Sequence, residues 1–418
     1  MGLDLDRVLE SYGELAVRVG LNLQPGQRLL IIGPVANGGV GLDAAPLVRC
    51  ITASAYRAGA RLVEVLWGDE ALLLARFREA PRDSFTECSA WLANVLTAHA
   101  DAGGAILSVY ANDPDLLQDS PPELVGAWQQ AVARSLKVFR ERISRNATNW
   151  SVVAGASPRW AARVFPELPP SQQVDRLWET IARLCRLDGP DPVAAWQTHV
   201  DALAARRDYL NARRFDALRY RGAGTDLTIG LPDDHQWVSA RSVSRQGISF
   251  TANIPTEEVF TLPDCRRVRG TVRGSKPLSY GGTLIDGFSL TFEDGAVVKL
   301  RADRGESVLQ TLIDTDAGAA RLGEVALVPH RSPISQSGLL FYNTLFDENA
   351  ASHIALGTAY RFTLNGGENM TDDAFVAAGG NLSATHVDLM IGSEELDIDG
   401  VRRDGAMEPI LRAGEWGF

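Results

Sequence analysis

No stretch of the chain reaches the roughly eighteen uninterrupted apolar residues of a membrane-spanning helix, so no such helix is expected. Cysteine is scarce: Cys50, Cys88, Cys185 and Cys265 lie far apart and never at C-x-x-C spacing. That spacing gives no support to a zinc ribbon or a redox dithiol, and a disulfide framework is out of keeping with so long a chain. Basic residues are in deficit, 41 Lys and Arg against 52 Asp and Glu, for a net charge of −11. Such a field repels polyanions, and nucleic acid is not an expected partner. The opening residues, Met1-Gly-Leu-Asp-Leu-Asp, have neither the positive nor the apolar region of a signal peptide. Asp6 stands where a myristoylation signal has Ser or Thr. A cytoplasmic, soluble protein without a membrane anchor is expected.

A hydrophobic fraction of 45% and a charged fraction of 22% suit a globular protein with a large core. At about 150 residues per domain, 418 residues suggest two or three domains. Helical spacing from Leu3 to Leu21 is followed by the strand-like run Arg28-Leu-Leu-Ile-Ile, a helix over 43–58 and a second strand, Arg61 to Trp67. Further helices fit 71–79, 84–98 and 122–142, with strands at Ala105-Ile-Leu-Ser-Val-Tyr and Trp150-Ser-Val-Val-Ala. This alternation implies an α/β N-terminal domain, residues 1–190, with a largely parallel sheet. The glycine-rich segment after Ile32 matches neither dinucleotide nor phosphate-loop patterns; it reads as a surface loop and no cofactor is assigned. Residues 170–214 look helical, interrupted by Gly189-Pro-Asp-Pro192. Beyond them polar and apolar residues alternate, Asp294-Gly295 marks a hairpin, and turns recur at Gly281-Gly282, Gly366-Gly367 and Gly379-Gly380. An α+β C-terminal domain, residues 191–418, with a mostly antiparallel sheet is expected, carrying the catalytic site.

Of six histidines, His99 and His199 fall in helical stretches with no acid at ligand spacing. Asp233-Asp234-His235 reads either as a cation site or as a solvated turn. In Thr385-His386-Val387-Asp388, period two sends His386 and Asp388 to one face of a strand, half of a divalent-metal site or an ordinary polar face. Asp347-Glu348-Asn349-Ala-Ala-Ser-His353 is the densest polar stretch; it is costly to bury unless paired or metal-bound, or else it is a helix N-terminus capped by Asp347 or Asn349. Glu257-Glu258 follows a turn, and Glu324 opens an apolar strand, where an acid can also be an edge gatekeeper. Together these supply the five or so ligands that a pair of divalent ions sharing a water requires.

Four ordered segments resemble the M29 family of metallo-aminopeptidases: Asn253-Ile-Pro-Thr-Glu-Glu-Val-Phe-Thr, Arg321-Leu-Gly-Glu-Val-Ala-Leu-Val-Pro, Asn343-Thr-Leu-Phe-Asp-Glu-Asn-Ala-Ala-Ser-His-Ile-Ala-Leu-Gly and Thr385-His-Val-Asp-Leu-Met-Ile-Gly. The resemblance implies a homodimer that releases N-terminal residues from peptides through water activated by two divalent ions, of zinc, cobalt, magnesium or manganese. It further implies Glu258 (or its neighbour Glu257), Glu324, His353, His386 and Asp388 as ligands, with Glu324 bridging. Glu348 is implied as ligand or general base, and Tyr360 as ligand or oxyanion donor. A related ring-cleaving dihydroxypyridine dioxygenase would instead use one non-haem iron on His353, His386 and Asp388; the presence of both Glu258 and Glu324 favours the peptidase. A non-catalytic binding module is disfavoured because every one of these groups is present. His330 and Arg331 depart from the family, which commonly has an acid before the Ser-Pro. They point to an acidic side chain or a non-peptide amide in the substrate.

Overall fold

The structure, a computed structural model, describes residues 4–280 and 283–418. The turn expected at Gly281-Gly282 lies outside these residues. Two compact units are present: one comprises Met1–Val200, Arg241–Pro255 and Phe341–Leu345, the other Asp201–Ala240, Thr256–Leu340 and Phe346–Phe418. The sequence boundary at 190 falls before the change of unit between Val200 and Asp201.

The first unit is built on β1 (Arg28–Ile32), β2 (Leu62–Val65), β3 (Ala105–Tyr110) and β4 (Trp150–Ala154), all parallel, in the order β2-β1-β3-β4. Apolar runs form these strands because both faces are covered. Leu30, Ile32 and Ile106 enter a cluster with Phe77, Phe85, Leu96 and Trp128, while Leu29, Ile31 and Leu107 on the opposite face are fully buried. The glycines after Ile32 serve a close backbone crossing: a Cβ on Gly39 would lie 2.7 Å from the Leu66 carbonyl oxygen. The expected single helix over 122–142 is two, Pro122–Ser135 and Lys137–Ser144, because Leu136 leaves helical geometry at φ −89°, ψ 5°. The segment expected as one helix over 84–98 is a 3₁₀ turn, Arg82–Thr86, and a helix, Ala90–Asp101.

The second unit contains the hairpin β5 (Ala217–Gly222) and β6 (Thr225–Gly230), the short β7 (Val259–Thr261), β8 (Val268–Arg273), β9 (Ser289–Glu293) and β10 (Ala296–Arg301). There follow β11 (Leu322–Leu327), β12 (His353–Gly357), β13 (His386–Met390), β14 (Asp397–Val401), β15 (Met407–Arg412) and β16 (Glu415–Trp416). An eight-stranded sheet runs β10-β9-β8-β6-β5-β14-β15-β16, and a four-stranded sheet runs β7-β11-β12-β13. Every pairing in both is antiparallel. Asp294 and Gly295, at φ 46° and 83°, make the β9–β10 turn as the sequence indicates. Among the described residues no helix is long and apolar enough to cross a membrane.

Candidate metal centre

The four-stranded sheet assembles the acids and imidazoles by register. Glu324 pairs with Ala355, and Ala355 with Asp388; Ala326 pairs with His353, and Gly357 with His386. Directly paired residues share a face, as do residues two apart on one strand. Glu324, His353, His386 and Asp388 therefore project together around Ala355, whose methyl group leaves space between the two acids. Glu258 sits one residue ahead of β7 and two from Phe260, which pairs with Ala326, so it joins the same face.

Burial is deep: Glu258, Glu324 and His353 are 7%, 5% and 1% exposed. His353 Nε2 lies 3.4 Å from Glu258 Oε2 and 3.5 Å from Glu324 Oε1. The other oxygen of Glu324 lies 3.7 Å from His386 Nε2, which is 3.4 Å from Asp388 Oδ1. Each imidazole is oriented from behind. His353 Nδ1 is 3.2 Å from the Ala351 carbonyl and His386 Nδ1 is 2.8 Å from that of Thr358. A carbonyl only accepts, so Nδ1 carries the proton and Nε2 is turned to the acids, the arrangement of a metal-ligating histidine.

The fit to a cation rests on what these atoms lack. Among the described residues, Glu258 Oε2 and Asp388 Oδ1 are buried with no hydrogen bond, each 3.4 Å from an imidazole Nε2, a costly state for an acid. Ligand atoms of Glu258, Glu324 and His353 all lie within 4.8 Å of one another. Burial, reinforced by Glu324 and Asp388, pushes the Glu258 carboxyl up to about 8. Against burial, the adjacent Glu324 and the charges of Asp388 and Glu258 push His353 up to about 10. Against burial, Asp388 and Glu324 push His386 up to about 9. Binding of a cation to these groups would release protons.

Glu348 lies in the 3₁₀ turn Glu348–Ala350 off the sheet. Its carboxyl is raised well above the usual range by burial and by Glu258 and Asp388. Asn349, fully buried, donates to Glu348 Oε1 at 3.4 Å, and its own Oδ1 accepts the Glu257 backbone N–H at 2.7 Å. It therefore ties that turn to the segment bearing Glu258, a positioning part that the sequence suggested only as a helix cap. The other reading of that stretch, a helix N-terminus at Asp347 or Asn349, gives way to a short helix, Thr344–Asp347, that passes into this 3₁₀ turn, with a strand from His353. Tyr360 follows β12, its ring 4.9 Å from that of His386. Although the residue is 37% exposed, burial of the phenol and the charges of Glu324 and Asp388 hold its pKa well above the ordinary value.

Of the two neighbouring glutamates, Glu258 faces His353, whereas Glu257 acts on the Arg206 guanidinium. Other sequence candidates are accounted for elsewhere. His99 Nε2 donates to the Ala105 carbonyl and His199 contacts Arg186. Asp233 and Asp234 pair with Arg403 and Arg214, and His235 is buried on the Pro232 carbonyl, so that trio forms a turn braced by arginines. The His330 backbone N–H donates to the Gly414 carbonyl and that of Arg331 to Glu415.

A family model described as thermophilic metalloprotease (M29) matches residues 5–416. The chain belongs to the M29 family. Among M29 relatives, aminopeptidase 2 of Geobacillus stearothermophilus is 46% identical over 99% of this chain and 98% of its own length. Aminopeptidase T of Thermus thermophilus is 47% identical over 98% of each, and aminopeptidase AmpS of Bacillus subtilis 44% identical over 98% of each. The solved structure of wild-type AmpT from Thermus thermophilus superposes with a TM-score of 0.92, at 47% identity over 99% of each chain. An M29 chain is a metal-dependent hydrolase of peptide bonds; the dioxygenase alternative finds no support among these relatives.

Proposed function

We propose that the chain is an aminopeptidase that releases N-terminal residues from peptides, with two divalent ions held by Glu258, Glu324, His353, His386 and Asp388 and bordered by Glu348. One observation carries the reading: the two oxygens of Glu324 face different histidines, at 3.5 Å and 3.7 Å. A one-ion site of two histidines and one carboxylate has no use for an acid so placed, whereas two ions need a bridge. Charge supports the count. The four carboxylates Glu258, Glu324, Glu348 and Asp388 balance two dications, and neutral imidazoles add nothing. Zinc, cobalt, magnesium or manganese ions bound there would lower the pKa of a water and polarise the scissile carbonyl.

The chain's own groups then move the protons. Glu348, buried beside Glu258 and Asp388, accepts a proton as the water oxygen bonds to the carbonyl carbon. It passes that proton to the amine nitrogen as the C–N bond breaks. The Tyr360 phenol donates a hydrogen bond to the oxyanion. Restriction to the N-terminal residue follows the names of the relatives. The same reading takes the working form to be a cytoplasmic homodimer, which light scattering of the purified protein tests for its subunit number. The activity is tested by adding each of the four metals to stripped protein and offering aminoacyl-anilides beside their N-acetylated forms. Cleavage of the free-amine series alone is expected. Equal cleavage of the acetylated series, or of neither, overturns the reading.

A further inference from the structure

Beside the metal cluster stands a group of aromatic rings, of which the proposed chemistry uses only the Tyr360 phenol. Phe260 shares the face of the sheet that carries Glu258 and Glu324. Its ring lies 6.3 Å from both Tyr360 and Phe362, each at a steep edge-on angle, and Tyr360 and Phe362 stack at 5.3 Å. The group continues directly to the imidazole of His386, 4.9 Å from Tyr360. None of the three aromatic residues is fully covered.

Their supporting loop, by contrast, is fixed. Leu262, Ala359, Leu364 and Phe375 form a buried cluster beneath it. The Thr363 hydroxyl donates to the Tyr360 carbonyl at 2.6 Å, and the Gln236 backbone N–H donates to the Thr363 carbonyl at 2.7 Å. Arg361, between the two stacked rings in sequence, is turned into the loop: it pairs with Asp372, donates to the Met370 carbonyl and covers the Phe375 ring. A rigid, uncharged, partly open aromatic surface thus adjoins the candidate centre.

We infer that Phe260, Tyr360 and Phe362 form the wall of the pocket that receives the side chain of the substrate's N-terminal residue, and that the wall selects apolar and aromatic side chains. This rests on the aminopeptidase reading. The selected side chain leaves the carbon next to the carbonyl under attack, so its pocket must border the cluster that binds that carbonyl. Stacked and edge-on rings favour another ring or a branched aliphatic group. With Arg361 engaged elsewhere, the wall offers an acidic side chain no cation.

The test uses the full-length, metal-loaded protein and p-nitroanilides of Phe, Leu, Ala and Glu. For the wild type, kcat/KM for Phe and Leu should exceed that for Ala by about tenfold or more, with Glu lowest. Phe362→Ala should lose most of that margin while the Ala substrate changes less than about twofold and metal content stays constant. Should that variant fail to fold, Phe362→Leu keeps an apolar side chain and should lower the Phe substrate more than the Leu substrate. An equal loss on every substrate, or a wild-type preference for Glu, overturns the wall and leaves the aminopeptidase reading standing. A wild type that cleaves none of the four overturns both.

Discussion

Glu324 engages two imidazoles with one carboxylate, and each imidazole has one further acid beside it, Glu258 for His353 and Asp388 for His386. Removing it separates the two halves of the cluster, leaving His353 with Glu258 and His386 with Asp388. Glu324→Ala is expected to reduce bound metal and to lower kcat/KM by at least about a hundredfold while circular dichroism stays unchanged; losing a residue that only hydrogen-bonds to a metal ligand already costs about 10–100-fold. Tyr360 belongs to a different class of role. Tyr360→Phe should lower kcat by about 10²–10³ with metal content retained, the effect of removing one oxyanion donor. Equal losses in both quantities would assign the phenol to coordination. Residues of this kind were legible wherever one strand carried two of them, because period two alone puts His386 beside Asp388. Periodicity alone does not decide which of Glu257 and Glu258 takes the cluster face, since both lie before a three-residue strand. The register of Phe260 with Ala326 separates them. Phe260, in a short strand, and Phe362, in the 3₁₀ turn Arg361–Thr363, carry no mark in the sequence, because aromatic residues are ordinarily core and the adjacency of these two is a tertiary fact.

Two glycines let the strands that carry the cluster close together. Gly323 sits where a Cβ would meet the Gly357 oxygen at 2.3 Å, beside a bulge between Leu322 and Glu324. Gly357, at φ 110°, pairs with His386, and a Cβ there would lie 2.1 Å from the Thr385 oxygen. Gly357→Ala is expected to destabilise the fold by about 1–3 kcal/mol and to weaken metal binding by displacing the start of β13. Chemical denaturation and metal analysis on the same sample check both effects. Unchanged metal affinity with full loss of stability would separate the glycine from the site. At this scale the sequence was informative for local signals: apolar runs for β1 and β3, and Asp294-Gly295 for the β9–β10 hairpin. It was poor where one residue's backbone decides, as at Leu136, since nothing in an apolar helical pattern marks that break.

Across the chain, the change from alternating strands and helices to alternating polar and apolar residues revealed a parallel and an antiparallel unit. It could not reveal that residues 241–255 belong with the first unit. That assignment depends on contacts such as Ser151 Oγ donating to the Thr251 carbonyl at 2.8 Å and Asn253 bridging to Val152, which composition does not record. The cluster should also bear on stability, because cations that bind only the folded chain shift its unfolding by mass action. Stripping the metal should lower Tm, and restoring it at about a hundred times Kd should return about 2.7 kcal/mol. The central claim is the pair of ions across Glu324. Equilibrium dialysis of stripped protein against zinc or cobalt, with metal analysis and an aminoacyl-anilide assay on each sample, tests it most directly. About two ions per chain should bind, with hydrolysis complete only when both are present. Full activity at one ion per chain would contradict the account.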